Sequence, residues 1–217
     1  MQGLDFDRDG ARFYRAVYDP SGVEALCRLH VDGPGARLHH PELPALLHPV
    51  SLIAATLIGA GAHPVRAVLF DKTGHNNWAV AWHQDRTIVV TERHDAPDFG
   101  PWSVKQGALH VAPPIAVLER MATFRIHLDP CDASNAPLKA ARGSHRLGFV
   151  AARDARARAV EHEQITCLAA PGDVWAYSTP ILHASERASR PTRRRVLQVD
   201  YAVEQLPNGL AWRGVVA

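Results

Sequence analysis

The sequence predicts a mainly β fold with a helical N-terminal support, and three observations carry that prediction. The hydrophobic period changes from helical to two near residue 60. It then recurs in short runs separated by Gly and Pro clusters, and after Gly61 only 154–163 is long enough for a connecting helix. Many short strands behind a helical segment indicate a jelly roll or related barrel, with the N-terminal helices packed on one sheet. A doubly wound parallel sheet would need a crossover helix between most strands, and the chain lacks them.

Residues 1–60 read as helical. Val23, Leu26, Cys27 and Leu29 to Val31 form one amphipathic stretch. Leu43, Leu46, Leu47, Val50, Ile53, Ala54 and Leu57 fit a second, stopped by Gly59 and Gly61, and Gly33, Pro34 and Gly35 separate the two. Residues 61–205 carry the barrel: Val65 to Phe70, Asn77 to His83, Thr87 to Thr91, Met121 to Leu128, Val174 to Tyr177 and Arg195 to Ala202 alternate as strands do. Asp98-Phe99-Gly100-Pro101 and Ala170-Pro171-Gly172-Asp173 mark turns. No repeat or linker interrupts this pattern, so 1–217 is expected to form a single domain.

At 217 residues and 47% hydrophobic composition, the chain can bury a sizeable core. Its 24 basic and 22 acidic side chains leave a formal charge of +2, too small a field to select nucleic acid or a membrane. A small-molecule partner is expected instead. The first twenty residues lack the apolar run of a signal peptide, and no stretch reaches the roughly 18 to 20 apolar residues that span a bilayer. Cys27, Cys131 and Cys167 are odd in number and widely spaced, which fits free thiols in a reducing compartment, so the cytoplasm is expected.

The 13 histidines direct attention to metal chemistry. Iron(II) that must also bind a co-substrate and oxygen is held by two histidines and one carboxylate on one face of an octahedron. His-x-Asp at a strand end supplies two of these ligands, because residues i and i+2 point the same way. The pattern occurs as His30-Val31-Asp32, His83-Gln84-Asp85 and His127-Leu128-Asp129. The first falls where a helix is expected, and the third leaves the earlier strands without a role. The second ends a strand with Trp78, Val80 and Trp82 on one face and Asn77, Ala79, Ala81 and His83 on the other, so small residues are expected beside the metal. His183 is the candidate third ligand. Arg194, at the start of the last strand, could bind the far carboxylate of a 2-oxo acid through its guanidinium fork, with Arg193 and Arg195 as rivals.

Taken in order, these segments resemble the phytanoyl-CoA dioxygenase family. The matching pieces are Val68-Leu69-Phe70-Asp71-Lys72, Trp82-His83-Gln84-Asp85, Leu128-Asp129 with Asn135-Ala136-Pro137-Leu138, Gly143-Ser144-His145, Gly172-Asp173-Val174-Trp175, Leu182-His183-Ala184-Ser185 and Arg194. The resemblance implies a double-stranded β-helix (cupin-like) core, iron(II) on His83, Asp85 and His183, and 2-oxoglutarate on Arg194 with Gln84 and Arg125 lining its pocket. It further implies O2 as oxidant and hydroxylation of a small molecule with release of succinate and CO2. Relatives that halogenate lack a ligating carboxylate at the position of Asp85. Ala136 departs from a usual glycine, Arg142 from a usual proline and Arg125 from an aromatic residue. Residues 92–114 are either a lid, with Trp102, Lys105 and His110 as substrate contacts, or a plain surface loop. A cupin-like metalloenzyme without 2-oxoglutarate and a non-catalytic jelly-roll binding protein are the competing functional classes.

Overall fold

The computed structural model describes residues 3–29 and 35–216. The helices are α1 (Phe6–Asp9), α2 (Pro20–Arg28), α3 (Leu43–Leu46), α4 (His48–Ile58), α5 (Ile115–Glu119) and α6 (Ala155–Val160). The strands are β1 (Ala11–Tyr14), β2 (Ala36–Arg37), β3 (His63–Lys72), β4 (Val80–His83), β5 (Ile88–Val90), β6 (Trp102–Lys105), β7 (Ala108–Val111), β8 (Ala122–His127), β9 (Leu138–Ala141), β10 (Gln164–Cys167), β11 (Val174–Ser178), β12 (His183–Ser185) and β13 (Arg194–Ala202). A large sheet of order β1-β11-β8-β13-β3-β2 and a smaller one of order β10-β9-β12-β4 form the double-stranded β-helix, and β5-β7-β6 makes a third sheet. Among the described residues, no helix is long and apolar enough to cross a membrane.

Alternation along the central strands decides what lies inside. Phe124, Ile126 and Leu128 from the β8 stretch join Leu197, Val199 and Tyr201 of β13 under the helices, where Leu26, Leu43, Leu47, Val50 and Ala54 complete the main core. The opposite faces carry Thr123, Arg125, Gln198 and Asp200, all buried, so this part of the barrel interior is polar. Trp175, Tyr177, Ile181, Leu138 and Cys167 fill the space between the two sheets.

The N-terminal segment departs from the expected all-helical support. Helix α2 covers much of the first expected stretch and starts on an Asp19 side chain that accepts from the Gly22 amide, with Pro20 in the first turn. The second expected helix is divided at Leu47 into α3 and α4, because Pro49 has no N–H to continue the earlier turn and instead opens the next one. Strands β1 and β2 lie in this segment and close the two edges of the large sheet, against β11 and β3. Elements of two to four residues carry too little periodicity to be read in advance. The His30-Val31-Asp32 motif lies outside the described residues.

The departures from the family pattern are accommodated locally. Ala136 takes a left-handed conformation (φ 53°), the role a glycine fills most cheaply. Arg142 pairs with Asp9 at 2.9 Å and Glu163 at 2.7 Å, tying α1 to the residue that precedes β10. Ser144 Oγ accepts the Leu182 amide at 2.9 Å, which anchors the turn leading into β12.

Candidate metal and co-substrate site

Strands β4 and β12 bring two histidines face to face. His83 pairs in register with His183, and their ring centroids are 4.3 Å apart. Asp85 leaves β4 on the same side as His83. One ligand atom from each of His83, Asp85 and His183 lies within 4.8 Å of the others, and among the described residues no other His, Cys, Asp or Glu group converges in this way. The alternative His127-Leu128-Asp129 is divided: His127 is buried in the barrel, whereas Asp129 is taken up by Arg195.

The protonation pattern suits a divalent cation. His83 Nδ1 lies 2.8 Å from the Ala81 carbonyl oxygen and His183 Nδ1 2.9 Å from that of Ile181. A carbonyl only accepts, so each Nδ1 carries a proton and Nε2 is the ring atom left to face a metal. Burial opposes ionisation of Asp85, but the permanent charge of Arg66 at 3.8 Å helps to outweigh it, and the carboxyl stays below its ordinary range. Burial, reinforced by His83, pushes His183 down and keeps it neutral. Gln198 Nε2 donates to Asp85 Oδ2 at 3.3 Å, and Arg66 bridges Asp85 at 3.8 Å and Asp200 at 2.6 Å, fixing the carboxylate from behind. Two imidazoles and one carboxylate on one wall are the donor set that non-haem iron(II) takes.

The same cavity, about 340 Å³, runs between the sheets to Arg194, Arg125 and Lys72. The three neighbouring arginines of β13 have different fates. Arg193 pairs with Asp71 at 2.9 Å, and Arg195 makes a two-toothed pair with Asp129, both bonds 2.8 Å. Arg194 points inward and is 3% exposed; its one polar contact among the described residues is the Cys131 sulfur at 4.0 Å, and its Nε has no partner. Arg125 also keeps an unpartnered Nε while donating to Gln198 Oε1 at 2.9 Å. Lys72 pairs in register with Arg194 and donates to the Trp78 carbonyl, and burial with Arg194 and Arg125 nearby pushes its pKa to about 8. Buried cations without counter-ions fit an anionic co-substrate, since each would otherwise be left uncompensated.

Three expectations are corrected by the geometry. Gln84 does not reach the cavity: strand alternation sends it the other way, where its amide donates to the Gly148 and Pro180 carbonyls and accepts from Val150. The small residues of β4 do not face the metal wall. Two residues of β12 oppose a longer step on β4, with His183 against His83 and Ser185 against Val80, and this bulge shifts the phase. Trp78 and Val80 therefore line the cavity while Ala79 and Ala81 are exposed. Within 92–114, the chain forms the β6–β7 hairpin, and of the three suggested contacts only Lys105 lines the cavity. Trp102 packs in an apolar cluster and His110 bonds to Thr87 and Arg37.

Sequence reasoning missed Arg66, Gln198 and Arg37. The first two share a strand face with Val68 and Val196, so facing position was a usable signal. Arg37 sits on a strand of two residues and offered none.

The family model for phytanoyl-CoA dioxygenase (PhyH) matches residues 6–196. Among solved structures, the chain is similar to AviO1 from Streptomyces viridochromogenes Tue57, with 20% identity, a TM-score of 0.64 and 93% of each chain covered. It is also similar to the non-heme alpha ketoglutarate dependent carbocyclase SnoK from nogalamycin biosynthesis, with 18% identity, a TM-score of 0.65, and 90% of this chain and 80% of that one covered. EctD from S. alaskensis with bound Fe matches at 18% identity and a TM-score of 0.66, over 98% of this chain and 83% of that one. At these identities the likeness establishes the fold. No curated protein matches the chain. The family match over most of the chain, on a double-stranded β-helix with a His-Asp-His cluster, leads to one conclusion: the chain belongs to the phytanoyl-CoA dioxygenase family of iron(II)- and 2-oxoglutarate-dependent oxygenases.

Proposed function

We propose that the chain hydroxylates a small molecule, with iron(II) on His83, Asp85 and His183 and the distal carboxylate of 2-oxoglutarate on Arg194. The observation that carries this reading is the pairing, in one cavity, of a converged two-histidine, one-carboxylate set with a buried arginine that has no counter-ion among the described residues. When bound, iron(II) with 2-oxoglutarate and O2 supplies the oxidising power, and the co-substrate leaves as succinate and CO2.

The protein's part is to place and insulate. The Ala81 and Ile181 carbonyls hold both imidazoles in the ligating tautomer, and Gln198 and Arg66 hold the Asp85 carboxylate toward them. Arg194, Arg125 and Lys72 fix the co-substrate's charged end, so that its other end faces the metal wall. Val68, Phe70, Trp78 and Leu138 give the cavity apolar sides that limit water around the reacting atoms. A carboxylate at position 85 occupies the coordination site that halogenating relatives leave open, which favours hydroxylation as the outcome.

Screening metabolites for substrate-dependent succinate release, with mass analysis of each product, tests the proposal. A product that gains one oxygen atom per succinate supports it. Succinate release coupled only to ring closure or epimerisation would replace hydroxylation, and a chain that turns over substrate without 2-oxoglutarate would remove the co-substrate assignment.

A further inference from the structure

Part of the positive charge that lines the cavity serves neither iron nor 2-oxoglutarate. On the reading above, Arg194, Arg125 and Lys72 serve the co-substrate, while Arg66 is neutralised by Asp200 and Asp85. Two lining cations remain: Arg37 on the edge strand β2 and Lys105 at the tip of the β6–β7 hairpin.

Arg37 is held firmly but only by neutral groups. Its Nη1 donates to Gln106 Oε1 at 2.8 Å and its Nη2 lies 2.6 Å from His110 Nε2. A guanidinium has no acceptor, so His110 Nε2 accepts and Nδ1–H is left to reach Thr87 Oγ1 at 3.1 Å. Burial, then Arg37 itself, pushes His110 down to about 4, so the ring stays uncharged. Gln106 completes the clasp by donating to the Gly35 carbonyl at 2.9 Å. Arg37 Nε is buried without a partner, and among the described residues neither Arg37 nor Lys105 has a carboxylate in ion-pair range. Arg193, Arg195, Arg142 and Arg120 each have one. A guanidinium fixed in direction yet left with its full charge toward a cavity is arranged as an anion site is.

We propose that Arg37 and Lys105 bind an anionic group of the substrate, a carboxylate or a phosphate monoester, at the cavity rim, so that the substrate is a small acid. The inference rests on the oxygenase reading of this cavity. Isothermal titration of the anaerobic protein loaded with iron(II) and 2-oxoglutarate, using octanoate, hexyl phosphate and octanamide as probes, tests it. At least one acid is expected to bind tenfold or more tighter than the amide, with a preference that shrinks as salt is raised. Which acid binds tighter identifies the source of the charge. Arg37→Gln and Lys105→Gln are each expected to weaken acid binding about 5- to 20-fold, while 2-oxoglutarate affinity moves less than about twofold. Lys105 is exposed on a hairpin tip, so its variant keeps the test alive should Arg37→Gln fail to fold. The proposal is overturned if neither acid outbinds the amide, or if the folded variants bind acids as the parent does. Failure of the parent to bind 2-oxoglutarate would be a different result, removing the oxygenase reading and the proposal with it.

Discussion

Replacing each of the three consecutive arginines of β13 by glutamine separates binding from stability. Among the described residues Arg194 is buried with no carboxylate partner, beside Arg125 and Lys72, so its removal relieves like-charge repulsion inside the barrel and costs the fold little. Its guanidinium would make charge-assisted bonds to 2-oxoglutarate worth about 1.5–3 kcal/mol each. Losing about 2–3 kcal/mol predicts a 2-oxoglutarate Kd raised about 30- to 150-fold in Arg194→Gln. Arg195, 20% exposed, gives Asp129 two side-chain bonds and the Asp129 carboxylate also accepts its backbone N–H. Arg195→Gln should therefore lose about 1–3 kcal/mol of stability and keep co-substrate affinity. Arg193, half exposed in its pair with Asp71, should change either quantity by less than about 1 kcal/mol. Urea melts and 2-oxoglutarate titrations of the three variants decide the matter. If Arg195→Gln or Arg193→Gln weakened 2-oxoglutarate as much as Arg194→Gln, the assignment of the inward arginine would be wrong.

Gln84→Ala strands the Gly148 and Pro180 carbonyls and the Val150 amide, so a loss of about 2–4 kcal/mol in chemical denaturation is expected, with weaker iron binding because Pro180 leads into His183. An unchanged midpoint would contradict that positioning role. His127 is buried with both ring nitrogens unpartnered among the described residues, and burial, then Arg125 and Arg194, pushes its pKa to about 3. The unfolded chain therefore binds one more proton than the folded one between about pH 6.5 and pH 3, and the stability present above pH 6.5 falls as pH drops, by about 1.5 kcal/mol between pH 6.5 and pH 5 for this group. His127→Leu should flatten the pH dependence of urea unfolding by about that amount. A variant with the parent's slope would show that His127 titrates normally.

What the sequence made legible was what long periodic strands encode. The polar inner and apolar outer faces of β8 and β13 followed from alternation, and with them the inward direction of Arg125 and Arg194. His83 and Asp85 shared a side because a two-residue spacing at a strand end forces it. Local exceptions were hidden. The bulge opposite Ser185 exchanges which face of β4 meets the cavity, and a bulge is a property of the pair of strands, not of one. Gln84 turns away from the cavity because alternation at the strand end puts it opposite His83 and Asp85, whatever the family resemblance implies for that position. Arg37 was invisible because its strand is formed by pairing with β3, not by any pattern of its own.

Diffraction at the iron absorption edge, from crystals grown anaerobically with iron(II), tests the central assignment most directly. One anomalous peak is expected, within bonding distance of the free ring nitrogens of His83 and His183 and a carboxylate oxygen of Asp85. A peak bound elsewhere, or one that persists with full occupancy in Asp85→Ala and His183→Ala crystals, would contradict it.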